Sequence, residues 1–194
     1  MSARVGLSRD GLVRTAADLA DEVGLREVTL SALARRVGVR APSLYAHVRD
    51  GADLHAGVTL LALTEIADRT DRALAGRSAR AALVALAGVQ RDYAREHPGR
   101  FEAAGRLDVE VTAALAEVGA RLSEQSRAVL RGYDVPEPEH THAVRFVGSA
   151  VRGFVELEAG GSFAHSDPPP EASWARVLDG LDLVLGSWGR LATG

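Results

Sequence analysis

The chain has 194 residues, of which 46% are hydrophobic and 25% are charged, and its formal net charge is −3. The absence of cysteine excludes disulfides, thiol catalysis and metal sites built on thiolates. No apolar run approaches the roughly 18 residues of a membrane span, and the N-terminus, MSARVGLSRDG, lacks the apolar core of a signal peptide. We therefore expect a cytoplasmic protein outside the membrane, built as one medium domain or as a small head and a larger body.

Charge is distributed unevenly along the chain. All 23 basic residues are arginine. Residues 1–50 hold 8 arginines and 6 acidic residues, whereas residues 51–194 hold 15 arginines and 20 acidic residues. A mildly basic head on an acidic body is compatible with one face that contacts phosphates, even though the overall charge is negative.

The first helix is predicted from Ser8, a preferred N-cap residue, to about Val23, and Gly24 follows it. Apolar residues recur at helical spacing along one face of this segment. That face consists of Leu12, Ala16, Leu19, Ala20 and Val23. We expect this helix to support the next two in a three-helix head.

The segment from Leu30 to Arg49, LSALARRVGVRAPSLYAHVR, predicts two short helices joined by a tight turn. Gly38 suits the left-handed C-cap of the first helix, and Pro42 falls in the first turn of the second, where a missing N–H is tolerated. Ala34 is small enough to let the second helix cross closely. Apolar positions at helical spacing are Leu30, Leu33, Ala34, Val37, Val39, Leu44 and Val48. This layout is typical of a helix-turn-helix, whose second helix enters the DNA major groove.

The stretch VTLSALARRVGVRAPSLYAHV resembles the DNA-binding segment of the TetR family of bacterial one-component repressors. The matching features are Thr29 as a cap, Leu33-Ala34, Gly38-Val39 in the turn, Leu44-Tyr45 and His47. The chain length and the N-terminal position of the motif also agree with this family. The resemblance implies a sequence-specific DNA-binding transcriptional regulator, a repressor that a small-molecule ligand releases from DNA.

The second helix of the motif carries the predicted base contacts. When its apolar positions point inward, Arg40, Ala41, Ser43 and His47 fall on the outer side. Arg40 could donate twice to a guanine, a pairing worth about 1–3 kcal/mol of discrimination. Ala41 and the Pro42 ring could contact a thymine methyl group.

Three further contacts are predicted with the phosphate backbone. Tyr45 and His47 match family positions that, by resemblance, hold phosphates. Thr29 and the first amides of its helix could bind a phosphate through the helix N-terminus. Competing explanations remain: Arg40 in a solvated turn, Tyr45 in the core, and His47 bonded to the backbone of the head.

Three positions depart from the family pattern. Arg40 stands where a small polar cap is common, Val48 where an aromatic residue is common, and Gly51 where a lysine usually grips the DNA backbone. Fewer phosphate contacts predict weaker binding with a shallower salt dependence. The alternative is therefore a ligand-binding helical dimer that has lost operator recognition.

The rest of the chain is predicted to be helical, because no stretch alternates with a period of two. The predicted segments run over about 52–74, 78–96, a short piece around Phe101, 108–133 with Asp108 as cap, 139–159 and 171–191. The predicted fold class is all-α with about nine helices. A helix-turn-helix DNA-binding domain occupies residues 1–50, and a helical ligand-binding and dimerisation domain occupies residues 51–194.

The last two predicted helices, around GSAVRGFVELEAGG and WARVLDGLDLVLGSW, are the most apolar. Gly148, Ala150 and Gly153 would let helices approach closely. By resemblance, these two helices form a homodimer with a four-helix seam; the alternative is an intramolecular core. Two heads roughly 34–36 Å apart, or a multiple of that, would match the half-sites of a palindromic operator.

A small-molecule pocket is predicted among the middle helices, with apolar walls and a few polar groups. The candidate ligand-binding residues are Gln90, Tyr93, Phe101, Phe146, Ser149 and Arg152. Core packing is the competing explanation for the aromatic residues, and a surface position for Arg152. A ligand with unequal affinity for two states would move the long helix over 52–74 and change the separation of the heads.

An enzyme is the competing functional class. The sequence has no HExxH motif and no glycine loop of the kind that holds phosphates. His140 and His142 are two residues apart, which places them about 200° apart on a helix and is poor for chelation. We therefore expect neither catalysis nor a metal nor a cofactor.

Overall fold

The computed structural model describes residues 7–106 and 109–191, and these ranges contain nine α-helices, three short 3-10 segments and no strand. The α-helices are α1 (Arg9–Val23), α2 (Leu30–Val37), α3 (Gly51–Leu74), α4 (Ala79–Glu96), α5 (Pro98–Ala104), α6 (Ala113–Arg131), α7 (His140–Ala159), α8 (Pro170–Gly186) and α9 (Trp188–Leu191). The 3-10 segments are Leu25–Glu27, Ala41–Ala46 and Glu137–Glu139. The predicted all-α class is confirmed.

Two predicted helix limits differ from the structure. The predicted cap at Asp108 lies outside the described residues, and α6 begins at Ala113, where the Thr112 hydroxyl accepts a hydrogen bond from the Leu115 amide at 3.2 Å. The predicted final helix is divided into α8 and α9 at Ser187, whose N–H donates to the Val184 carbonyl at 3.1 Å.

The chain divides into two compact units. The first takes in the chain up to Glu65 together with Glu96–Ala116, and the second takes in Ile66–Arg95 and the chain from Glu117 onward. The predicted head boundary at residue 50 falls inside the first unit, because this unit also contains the first part of α3 and all of α5.

The first unit is built on one apolar core, to which α1, α2 and α3 each contribute their helical stripe. Its most buried members include Leu12, Ala16, Leu25, Leu33, Leu44, Val48, Leu54, Val58 and Ala103. Val23 was placed on the buried face of α1 by its spacing, but it is exposed, because α1 ends there before Gly24.

In the first unit, α5 lies directly against the backbone of α1. A Cβ on Gly99 would lie only 2.1 Å from the Ala20 carbonyl oxygen. No side chain fits at that distance, so this approach of two backbones requires glycine.

Arg100, the residue after this contact, joins α5 to two neighbouring helices of the same unit. Its backbone N–H donates to Asp21 Oδ1 at 2.9 Å, and its guanidinium is paired with Asp18, Asp21 and Glu65. His97 Nδ1 lies 3.0 Å from Asp21 Oδ2. The largely buried guanidinium is thus surrounded by carboxylates, which a buried charge needs.

The second unit packs α4, α6, α7 and α8 with the later part of α3. Its core includes Leu83, Ala87, Leu130, Val151, Val155, Leu178, Leu181 and Leu185. Arg91 places a charge inside this core: its guanidinium is 5.1 Å from the Trp174 ring centre and bonds to Glu158 at 2.5 and 2.8 Å. This buried cation is thus paired as well as stacked.

None of the helices in these described ranges combines the length and apolarity that a bilayer crossing requires.

Candidate functional site

The turn between the two helices of the motif has the predicted geometry. The Thr29 hydroxyl accepts from the Ala32 amide at 3.1 Å and caps α2. At the other end, Gly38 has φ 72° and ψ 31°, which is the left-handed conformation. The Gly38 and Val39 amides donate to the carbonyls of Arg35 and Ala34, the pattern of a Schellman C-cap.

The segment that follows, residues 40–47, is called here the reading segment. Its Ala41–Ala46 part is a 3-10 helix, rather than the α-helix that the spacing suggested, and its N-cap residue Arg40 makes no side-chain capping bond. The i→i+3 bond from the Ser43 amide to the Arg40 carbonyl, 2.9 Å long, shows this tighter winding. The segment is short and its N-cap residue Arg40 provides no side-chain acceptor, which together disfavour a regular α-helix.

Burial divides the reading segment into two faces. Leu44 is fully buried in the core of the first unit, and Val48, which follows the segment, is buried with it. The predicted base-contacting side chains fall on the other side: Arg40, Pro42 and Ser43 are exposed, and Ala41 and His47 are half-buried. Tyr45 is exposed too, so this ring is not the core aromatic that was its competing explanation.

Positive charge on this side of the unit is only partly neutralised. Arg36 at the end of α2 forms two hydrogen bonds with Glu22, at 2.8 and 2.5 Å. Among the described residues, Arg35 and Arg40 make no ion pair. Their charges therefore remain available for an anion such as a phosphate or for the acceptor edge of a base.

A buried carboxylate holds the C-terminal end of the reading segment. Asp53, in the first turn of α3, accepts two hydrogen bonds from the Arg9 guanidinium, at 2.7 and 2.8 Å, and one from the Arg49 backbone amide at 2.9 Å. Arg9 also donates to the His47 carbonyl at 3.4 Å. The start of α1, the end of the reading segment and the start of α3 therefore meet at one side chain.

The Arg9 hydrogen bonds, with help from the Arg49 amide, lower the pKa of the Asp53 carboxyl from 3.8 to about 2, although burial opposes this shift. Sequence reasoning missed both Arg9 and Asp53. The only signal was an acidic residue in the first turn of a predicted helix, which a favourable helix dipole explains equally well.

The second unit contains a cavity of about 200 Å³ between α4, α6 and α7. It is lined by Leu83, Leu86, Gln90, Ser126, Val129, Leu130, Val144, Val147, Gly148, Val151 and Arg152. Two of the six predicted ligand-binding residues, Gln90 and Arg152, are in this lining. Ser126 was missed, because a single serine within an apolar helical pattern carries no signal by itself.

The other four predicted ligand-binding residues lie elsewhere. Tyr93 lies one turn beyond Gln90 on α4 and is fully buried, with the Arg69 guanidinium 4.9 Å from its ring centre. Ser149 is exposed on α7, and Phe146 is partly exposed with its ring centre 5.7 Å from that of Trp188. Phe101 is buried in the first unit. Tyr93, Phe146 and Ser149 are on helices that line the cavity but are not part of the lining, and Phe101 is on α5 of the first unit.

Within the described parts of the chain, no cluster of three or more histidine, aspartate and glutamate side chains is arranged to hold a metal. His140 is buried, and its Nε2 lies 2.9 Å from the Val135 carbonyl. This contact gives His140 a structural partner.

Comparison with protein families gives two matches. Residues 12–53 match the model described as bacterial regulatory proteins, tetR family, and residues 83–181 match the tetracyclin repressor-like C-terminal domain. The first range contains the motif and Asp53, and the second contains the whole cavity lining.

Two curated relatives are similar over most of the chain. The HTH-type transcriptional regulator Rv0681 of Mycobacterium tuberculosis is 36% identical over 80% of this chain and 72% of its own length. The HTH-type transcriptional regulator YobS of Bacillus subtilis is 31% identical over 86% of this chain and 87% of its own length.

A solved structure supports the same fold. A TetR variant from Acinetobacter baumannii, in complex with minocycline, superposes with a TM-score of 0.68 at 22% identity, covering 95% of this chain and 98% of that one. The motif geometry, the two family matches and the relatives agree. The chain belongs to the TetR family of bacterial regulatory proteins and is a helix-turn-helix transcriptional regulator.

Proposed function

We propose that this chain is a homodimeric repressor, which binds a palindromic operator through its reading segment and is released by a small molecule bound in its body. The observation that carries this proposal is the division of the reading segment into a buried anchor at Leu44 and an exposed outer side. A short helical segment held in this way can enter the major groove without rearranging the core of the head.

Specificity is assigned to the first residues of the reading segment. The Arg40 guanidinium carries the donors for a guanine, and Ala41 and Pro42 carry apolar groups for a thymine methyl. Thr29, Ser43, Tyr45 and His47 position the head on phosphates or adjacent bases. We assign these contacts to residues 1–50, as the DNA-binding domain. Because the DNA of a bacterium lies in its cytoplasm, we also assign the protein to the cytoplasm.

Residues 51–194 are assigned to ligand binding and dimerisation. Members of the family bind DNA and small-molecule ligands and act as dimers. On α7 and α8, Phe146, Leu157 and Leu183 are large apolar residues with exposed surface, which a second copy of these helices would cover. A four-helix seam between two copies is therefore the proposed dimer interface.

Release requires that the ligand bind one of two conformations more tightly than the other. The long helix α3 begins at the Asp53 network of the head and continues to Leu74 in the second unit. A shift of α3 on ligand binding would therefore act on Asp53, and through it on the end of the reading segment.

The test is a mobility-shift titration of the purified full-length protein with the DNA upstream of its own gene, across a series of salt concentrations. We expect a sequence-specific shift that survives competitor DNA and weakens as the salt concentration rises. A protein that gives no specific shift at low salt is not a repressor of this operator.

One alternative has an observation in its favour. Gly51 cannot contribute a cationic side chain at the start of α3, and the reading segment starts without a side-chain cap. Both features fit a ligand-binding dimer that has lost operator recognition. Ligand binding and dimerisation by a protein that fails the mobility-shift test would support this alternative.

A further inference from the structure

We propose that the cavity between α4, α6 and α7 binds a small aliphatic carboxylic acid, with its hydrocarbon chain inside and its carboxylate at Arg152 and Gln90. The inference rests on the proposed function only in treating this molecule as the regulatory ligand. Its basis is the size, the wall chemistry and the charge of the cavity.

The size of the cavity limits the ligand. A volume of about 200 Å³ lies below the roughly 300–1,000 Å³ of sites for drug-sized molecules. The cavity therefore suits a small ligand, and we take a medium-length acid such as octanoate as the probe, with its carboxylate at the edge of the cavity.

The walls favour a hydrocarbon. Leu83, Val129, Leu130 and Val151 are buried aliphatic residues, and none of the described residues in the lining is aromatic. Flexible aliphatic walls accept a flexible chain and offer no ring for stacking. A polycyclic or strongly polar ligand would match neither the volume nor these walls.

The polar side of the cavity favours a negatively charged acceptor. Arg152 is the one charged residue in the lining, and its Nε donates to Glu156 at 2.6 Å. A guanidinium has five N–H donors, so it can serve a second carboxylate while it holds the first. Gln90, in the same lining, adds amide donors.

Ser126 is the remaining polar residue of this lining. Its hydroxyl donates to the Leu122 carbonyl of its own helix at 3.0 Å, so we do not assign it to the carboxylate. An ammonium group has only donors, so it offers no acceptor to the N–H groups of Arg152 and Gln90. A pure hydrocarbon would offer no hydrogen-bond partner to the Gln90 amide in the lining.

The experiment is calorimetric titration of the full-length dimer with three probes of one chain length: octanoate, octan-1-ol and octylamine. We expect octanoate to bind at least tenfold more tightly than octan-1-ol, and octylamine to bind most weakly. Equal affinities for octanoate and octylamine, or no binding of octanoate at millimolar concentration, would overturn the proposal.

Variants then assign the carboxylate to its partner. Arg152→Gln removes the charge but keeps an amide donor, and it should weaken octanoate binding at least tenfold while leaving octan-1-ol unchanged. Arg152→Lys should restore part of the loss. The matched control is Arg145→Gln, on the exposed side of the same helix and outside the lining.

Thermal unfolding without ligand checks that each variant is folded. Unchanged octanoate affinity in folded Arg152→Gln protein would also overturn the proposal. A mobility-shift titration separates this inference from the proposed function. If octanoate binds but does not release DNA, the ligand class is supported and its regulatory role is wrong. If the protein binds DNA specifically but does not bind octanoate, the repressor function is supported and the ligand class is wrong.

Discussion

Asp53 illustrates how much of the DNA-binding head depends on one side chain. Its carboxylate accepts from the Arg9 guanidinium and from the Arg49 amide, and it is 8% exposed. Both donors lie at the C-terminal end of the reading segment, so the carboxylate ties this end to the starts of α1 and α3. We therefore propose that Asp53 positions the reading segment for DNA recognition and contributes to the stability of the head.

The pH dependence of Asp53 is a testable consequence. Its folded pKa of about 2 lies below the ordinary value of 3.8, so its stabilisation is complete above the ordinary value and is lost as the pH falls through the folded value. A difference of this size corresponds to about 2 kcal/mol. We expect Asp53→Asn to lower the free energy of unfolding by about that amount at pH 7 and by much less near pH 2.

The measurement is urea denaturation of both proteins over this pH range. Asp92→Asn, at an exposed position on α4, is the matched control and should change stability little at either pH. If Asp53→Asn lowers the free energy of unfolding by the same amount at pH 7 and pH 2, the carboxylate contributes no charge-dependent stability.

Arg40 carries the most specific prediction at the level of single residues. Arg40→Ala should relax the preference for one base pair in each half-site at a cost of about 1–3 kcal/mol, because a bidentate contact with guanine is lost. Affinities for a panel of operators with single base changes measure this. The control is Arg36→Ala, which removes the same charge from an arginine bonded to Glu22. If the two variants change the operator affinity equally at every base pair, Arg40 makes no base-specific contact.

At the level of elements, the head was predictable where local spacing decides the structure. The αL conformation of Gly38 and the inward side chains of Leu44 and Val48 follow from positions within one short segment. The helix type of Ala41–Ala46 did not follow, because the same inward spacing satisfies a 3-10 helix and an α-helix over so few residues.

Contacts between distant segments could not be predicted from the sequence. The approach of Gly99 to Ala20 joins residues in different helices, and helical spacing says nothing about which helix α5 meets. The same limit applies to the cavity. Gln90 is in the lining, whereas Tyr93 lies one turn further along the same helix and packs against Arg69.

The contact between α5 and α1 gives a prediction of its own. Gly99→Ala should destabilise the first unit by about 1–3 kcal/mol or more, because the new Cβ meets the Ala20 carbonyl and one helix must move. Gly119→Ala, in the exposed middle of α6 with open space around it, should stabilise by about 0.5–1 kcal/mol. Thermal unfolding of both variants checks the pair, and a neutral Gly99→Ala would mean that α5 does not hold this position in solution.

For the whole molecule, the proposed homodimer requires two heads held at a fixed spacing. Leu183 on α8 is 74% exposed, and it lies on the helices that we assign to the dimer seam. Leu183→Glu should therefore give monomers, because a charge would be buried without a partner between two copies. Val111→Glu is the matched control: Val111 is 76% exposed but belongs to the first unit, away from α7 and α8 in the chain.

In Leu183→Glu, the molecular mass measured by sedimentation equilibrium and the affinity for the operator should both fall. Two heads read half-sites about one helical turn apart only when the dimer sets their spacing, so a monomer keeps only the weak contacts of one reading segment. We expect loss of the specific shift at concentrations where Val111→Glu still binds as a dimer. A dimeric Leu183→Glu protein would place the seam elsewhere, and a monomer with full operator affinity would show that paired heads are not required for recognition.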